Sequence, residues 1–419
     1  MEKSKTGASW PTFILIFIMG AVFALSFFKV PGAMLTLAEE FCGGDMTVAA
    51  WFMSICSVAG TIIAFFTGAI QKSIGPKGML IIALVCALLD SVLGLVAGAM
   101  GSVQVFIVSR FCCGLGNGFL ATAGPTLITL LFKDPAKRAL PNSIWSCWTA
   151  VGSLIMLNLF AVICNLTGTA WEGAWWVNVV VGVIALIVAI AFIKIDPVEA
   201  KALVNEGDNV KPWSGLTMLN TWLLVIIFAC FAFIFSCWSA MAPTYMQLSA
   251  GMDMATANSV SSITTITGIV GALIIGVILR KAKNQPAVMV GIMILTTIVG
   301  ICEFVFTGQA MMVVMAVLCG VIINAVPPAI FQNAQWGAKT PAGIAMIMAA
   351  LPIGSNFGGI PASPAVSACI VPGAAWTGAA VILGVVGVIG IICAIIFMAR
   401  CGKYSKAAMA GKTQDTIEE

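Results

Sequence analysis

The chain has 419 residues, is 61% hydrophobic and only 9% charged, with a net charge of +4 and no histidine. Its mean hydropathy of +1.09 excludes a water-soluble globular protein of this length. The small positive balance carries no nucleic-acid signal.

Twelve apolar stretches follow one another, at 11–36, 47–70, 79–99, 103–131, 141–166, 173–193, 220–248, 256–279, 287–306, 309–336, 342–369 and 374–399. Each is long enough to cross a bilayer as a helix, which takes about 20 residues. The first is too long for a signal peptide and has no small-residue cleavage site after it. Eighteen of the twenty Lys and Arg residues fall in alternate gaps, from Lys3 and Lys5 through Lys72 and Lys77 to Arg400 and Lys412. The other gaps hold Glu39, Glu40, Asp45, Glu172 and Asp253 instead. Basic loops stay cytoplasmic, so both termini are expected inside. The alternation supports an even count of spans independently of hydropathy. The fourteen cysteines lie mostly within spans and lack metal-ligand spacing, so they read as small polarizable core residues.

The two halves look related. A shift of 208 positions matches Met46 with Met254, Ser54 with Ser262, Gly60 with Gly268, Gly68 with Gly276 and Lys72 with Arg280. A shift of 200 matches Pro141 with Pro341. Pro31 and Pro243 stand near the outer ends of spans one and seven. The expected organisation is a six-helix bundle over 1–193, a cytoplasmic linker over 194–219, a second bundle over 220–400 and a tail over 401–419. Parallel six-helix repeats with a site between them are a transporter architecture.

Span four reads Arg110-Phe-Cys-Cys-Gly114-Leu-Gly116-Asn-Gly118, which fits the R-x-x-x-G-x-G-x-G pattern of the major facilitator superfamily, and the chain resembles that family over nearly its whole length. Gly68-Ala-Ile-Gln-Lys72-Ser73-Ile-Gly75-Pro-Lys77 matches the glycines and final base of G-x-x-x-D-R-x-G-R-K, with Lys72 and Ser73 in place of the acid and arginine. That substitution implies a weakly held inner gate. Gly354-Ser-Asn356-Phe-Gly358-Gly359 is similar to the glycine-rich signature of nitrate/nitrite permeases, although spans two and eight lack the arginine those proteins carry. Phe28-Lys29-Val-Pro31 and Trp145-Ser-Cys-Trp148 resemble the cyanate and nitroimidazole permease branch more loosely. Physically, the span-four and span-eleven glycines remove side chains so that helices approach closely.

Four ionisable residues lie within spans: Lys29, Asp90, Arg110 and Glu303. An unpaired charge at bilayer depth costs at least about 2.5–3.5 kcal/mol. Asp90 lies ten residues before Met100, at the outer turn, and Arg110 ten after it. Both therefore sit roughly 15 Å from that turn, at matching depth on antiparallel neighbours. An ion pair there has three readings: a structural tie, an Arg110 that contacts substrate, or an Asp90 that couples protons to the transport cycle. Lys29 has no evident acidic partner and is expected as a fixed positive charge in a wet cavity, against the alternative of snorkelling toward headgroups. Glu303, near the outer end of span nine, is expected to be solvated. Trp171, Trp175 and Trp176 read as interface anchors.

The family resemblance places Trp145, Trp148, Ser236, Trp238, Tyr245, Asn324, Ser355 and Asn356 on cavity helices, where they are substrate-binding candidates with Lys29 and Arg110. The expected protein is an all-α membrane protein with twelve transmembrane helices in two pseudo-symmetric bundles, resident in a bacterial inner membrane. It is expected to be a monomeric non-enzyme without cofactors. It would move a small anion, a monocarboxylate or inorganic oxyanion, by alternating access. No nucleotide-binding motif appears, so a proton gradient or counter-solute would supply the energy. The alternative is a proton-driven exporter of apolar or cationic compounds, suited by the Met, Phe and Trp content.

Overall fold

Backbone polar groups in a bilayer find no water, so an apolar chain must satisfy them within its own helices. The computed structural model describes residues 9–132, 140–142, 144–196, 218–338 and 341–409, all helix and connecting turn. Most of the 194–219 linker lies outside the described residues, as do Lys3, Lys5, Lys133, Lys137, Arg138, Lys339 and Lys412.

The helices are α1 Ser9–Cys42, α2 Met46–Ala64, α3 Thr67–Met100, α4 Val103–Leu131, α5 Trp148–Thr167 and α6 Glu172–Phe192. They continue as α7 Leu219–Ala250, α8 Met254–Lys281, α9 Gln285–Cys302, α10 Gln309–Ala334, α11 Pro341–Ser367 and α12 Thr377–Met409. Eleven of these are long and apolar enough to cross a membrane, and α11 completes the twelve expected from sequence. Their outward faces carry exposed Ile18, Ile184, Leu273, Val277 and Val381. In water, apolar faces of this extent are not tolerated.

The chain divides into two compact units, Met1–Asn209 and Val210–Glu419. In the first, α3 packs most extensively on α4, α4 on α2, and α1 on α5. In the second the principal pairs are α7 with α11, α9 with α12, and α8 with α10.

Several boundaries differ from the hydropathy reading. The stretch read as the end of span two belongs to α3, which starts at Thr67 and bends at Gly75. Gly75 takes φ +73°, a left-handed value that suits a residue without Cβ, and Pro76 then opens the straight part of the helix. Span five is interrupted near its start: residues 140–142, 144 and 145 are helical, a turn at Ser146 and Cys147 follows, and α5 runs on from Trp148. Span ten contains a π turn, Cys319–Ile323, which hydropathy cannot register.

The span-four glycines act as their spacing predicts. A Cβ on Gly114 would lie 2.2 Å from the Cys56 carbonyl oxygen, and one on Gly118 would lie 2.2 Å from Ile63. Both therefore press on α2, while Gly116 faces Phe23 and Cys86 on α1 and α3. In the second unit a Cβ on Gly354 or Gly358 of α11 would lie 2.2 or 2.1 Å from the Val225 or Ala229 carbonyl oxygen of α7. The 208-position shift pairs Cys56 with Thr264. A Cβ on Gly320 of α10 would lie 2.6 Å from the Thr264 carbonyl oxygen. The same glycine-on-carbonyl contact thus recurs between α4 and α2 and between α10 and α8.

Candidate functional site

The α3–α4 hairpin closes through Gly101, in the left-handed region at φ +59°, and Ser102, which caps α4 through the Val105 amide. A turn this tight fixes the register of the two helices. Asp90 and Arg110 therefore meet at equal depth, with the Arg110 Nη1 3.0 Å from Asp90 Oδ1 and 3.1 Å from Oδ2. The rest of the guanidinium is held by helix backbones. Its Nε donates to the Phe52 carbonyl at 3.1 Å, Nη1 to that of Ser26 at 3.4 Å and Nη2 to that of Phe27 at 3.5 Å.

Lys29 joins this pair, so the expectation that it lacks an acidic partner is corrected. Its Nζ lies 2.9 Å from Asp90 Oδ2. It also donates to Ser91 Oγ at 2.7 Å and Ser26 Oγ at 3.2 Å, which uses all three ammonium protons. Trp175 of α6 presents its ring 4.7 Å from the Lys29 Nζ, close enough for a cation–π contact. Gly94 permits that approach, since a Cβ there would lie 2.3 Å from the Trp175 Nε1. The side chains of Lys29, Asp90 and Arg110 are all 0% exposed. Five helices therefore build the site, with α1, α3 and α4 supplying the charges, α2 a carbonyl and α6 a ring.

Ser26 and Ser91 complete the cluster, and sequence reasoning missed both. Ser26 Oγ donates to Asp90 Oδ2 at 2.8 Å while accepting from Lys29, so it links both ends of the ion pair. The signal was present: Ser26 precedes Lys29 by one helical turn, and Ser91 follows Asp90 directly.

Trp171 and Trp175 were read as interface anchors, but both are 0% exposed. They belong to an aromatic cluster with Phe41, Phe52 and Phe106, in which Trp171 meets Trp175 at 4.7 Å. The Trp171 indole donates to Glu40. Trp176 alone of the three is exposed. Position along the chain does not report the face of the helix on which a residue stands. Glu303 is likewise corrected: it is 1% exposed rather than solvated.

The other candidates lie apart from the charged cluster. Trp145 and Trp148 stack at 5.8 Å within the apolar core of the first unit, against Phe23 and the glycines at 20 and 124. In the second unit Trp238 donates to Thr264 Oγ1 at 2.8 Å, and the Tyr245 hydroxyl to the Phe306 carbonyl at 2.8 Å. Asn324 is half-buried and donates to the Gly320 carbonyl at 3.2 Å. Ser236, Ser355 and Asn356 are half-buried.

Comparison with known proteins agrees with this architecture. A match at 25% identity covers 142 residues of an "MFS-type transporter" of Gibberella zeae, 33% of this chain and only 31% of that relative's length. Among solved structures, a bacterial homolog of the human lysosomal transporter Spinster, inward-facing and occupied, aligns with a TM-score of 0.72 at 13% identity, covering 95% of this chain and 98% of that one. The fucose:proton symporter of E. coli aligns at 0.61 and 16% identity, covering 93% and 99%. The Major Facilitator Superfamily model matches residues 13–346, and the chain belongs to that family of multi-pass membrane transporters.

Proposed function

We propose that the protein is a secondary active transporter that moves a small anion, a monocarboxylate or an inorganic oxyanion, by alternating access. The observation that carries this reading is the charge balance of the buried cluster. Two cations, Lys29 and Arg110, share the single carboxylate of Asp90 at 0% exposure. A low-dielectric surrounding focuses the field of the excess cation and attracts anions. Asp90 then serves as the resident counter-ion, and a substrate carboxylate or oxyanion would take over part of its contacts with Lys29 and Arg110. The absence of a nucleotide-binding motif supports an ion gradient or an exchanged solute as the energy source. The bias of Lys and Arg toward alternate gaps supports a bacterial inner-membrane setting with both termini inside.

A thermal-stability screen of the purified protein tests the reading. It compares small carboxylates, nitrate, nitrite and cyanate with neutral and cationic drugs, for the wild type and Lys29→Gln. A ligand that binds only the folded state raises stability by RT ln(1 + [L]/Kd). The expected result is stabilisation by an anion that is lost in Lys29→Gln. Stabilisation by apolar or cationic compounds alone, equal in the variant, would transfer the case to a multidrug-type exporter.

A further inference from the structure

Among the described residues, one buried carboxyl stands outside the cluster, in the second unit. Glu303 follows the last turn of α9 and is 1% exposed, and neither carboxyl oxygen has a hydrogen-bond partner. The chain just beyond it is tied down on two sides. The Trp376 amide donates to the Phe304 carbonyl at 2.8 Å, and the Tyr245 hydroxyl to that of Phe306 at 2.8 Å. Phe304 stacks on Trp376 at 5.5 Å and meets Tyr245 edge-on at 5.3 Å. The titratable groups that face Glu303 are the thiols of Cys237 on α7 and Cys319 on α10, with Cys302 next to it in the chain. The α12 stretch along α9, 377–390, contains no titratable residue.

A buried carboxylate without donors or a counter-ion is costly, and the group neutralises instead. A hard metal cation would require several oxygen ligands, which thiols and aromatic rings do not offer. A proton requires none. The geometry points to Glu303 as a proton-binding site of the second unit, which takes up and releases the proton that travels with the anion. Its coupling role rests on the anion-transport reading; its protonation does not. Release breaks the carboxyl O–H bond and passes the proton to a water that reaches the opened site, leaving the electron pair on the carboxylate. Asp90 meanwhile remains the counter-ion of Lys29 and Arg110.

Infrared spectra of the purified protein test the site without any substrate. Above neutral pH, the wild type is expected to show a carboxylic-acid C=O band that shifts in D2O and disappears in Glu303→Gln. Should that variant not fold, carboxyl-13C-glutamate labelling of the wild type must shift the same band. Absence of an acid band, or a band that ignores the glutamate label, would overturn the proposal. Coupling is tested in proteoliposomes containing a pH-sensitive dye, with nitrate and lactate as probes. Glu303→Gln is expected to keep anion counterflow and to lose accumulation driven by a pH gradient. Unchanged gradient-driven accumulation would overturn the coupling role. If the infrared band behaves as expected while neither probe moves in the wild type, the anion reading fails and the proton site stands.

Discussion

The two units share a scaffold but handle buried charge in opposite ways. In the first, Lys29 stands two residues before Pro31, and Arg110 four before Gly114. In the second, Met241 stands two before Pro243, and Ala316 four before Gly320, so the matching places are apolar and buried. The first unit surrounds its charges with carbonyls, hydroxyls and a ring until the Lys29 and Arg110 nitrogens and the Asp90 oxygens have partners. Among the described residues, the second buries a single carboxyl, that of Glu303, whose oxygens have no hydrogen-bond partner. A duplicated fold thus repeats the α1–α5 and α2–α4 packing as α7–α11 and α8–α10, while chemistry is added by side chains at a few positions. The first unit is built to hold charge, the second to exchange it.

The largest effect should come from removing the shared counter-ion. Asp90→Ala leaves two cations buried together, and breaking a buried pair costs about 3–5 kcal/mol. Folded yield and melting temperature in detergent should both collapse; a mild change would mean that Lys29 and Arg110 find other partners and the cluster is not one unit. Next in size is Gly114→Ala, which drives a methyl into the Cys56 carbonyl at 2.2 Å and should cost about 1–3 kcal/mol as overpacking. Gly320→Ala should cost less, because the Thr267 hydroxyl at 1.8 Å can rotate and the backbone carbonyl behind it, that of Thr264, lies at 2.6 Å rather than 2.2 Å. Equal losses would show that side-chain freedom does not separate the two sites.

Lys29→Met should cost less than Asp90→Ala, about 1–2 kcal/mol. It leaves Arg110 and Asp90 as a balanced pair, and Ser26 still bonds the carboxylate. Gly276→Ala should reverse the sign. Nothing lies within 4 Å of a Cβ there, so the better helix former should add about 0.5–1 kcal/mol, read as a small rise in melting temperature. The smallest effect concerns Asp253, the exposed cap of α8. Its carboxyl is held below the ordinary carboxylate range by the Thr256 hydroxyl and amide. A lowered folded-state value contributes stability above the ordinary range and loses it as pH falls through the lowered value. Asp253→Asn should keep the cap and flatten that acid-side slope in melting curves.

These sites were unequally legible in the sequence. The twelve spans could be read because hydropathy and the alternation of basic gaps report the same crossings independently. The Asp90–Arg110 pair could be read because a two-residue turn converts sequence distance into depth. Lys29 could not be joined to it, since no short hairpin links α1 to α3 and relative depth is then unconstrained. Glu303 was misplaced for a related reason. Its distance from the helix end was right, but its burial comes from other helices, among them α7 with Cys237 and α10 with Cys319, which that distance does not report. The π turn in α10 left no mark in hydropathy because its residues are as apolar as their neighbours.

The mutual dependence of the cluster also bears on how such a protein changes over generations. Removing Asp90 leaves like charges together, whereas removing either cation leaves hydroxyls or carbonyls that lose a donor. Contacting residues of this kind have strongly non-additive effects, so the order of substitutions decides which paths stay open. The order is therefore fixed at one end: Lys29 can go first and leave Arg110 and Asp90 balanced, whereas loss of Asp90 first strands two buried cations. Met241 and Ala316, the matching buried positions of the second unit, carry no charge and no such constraint.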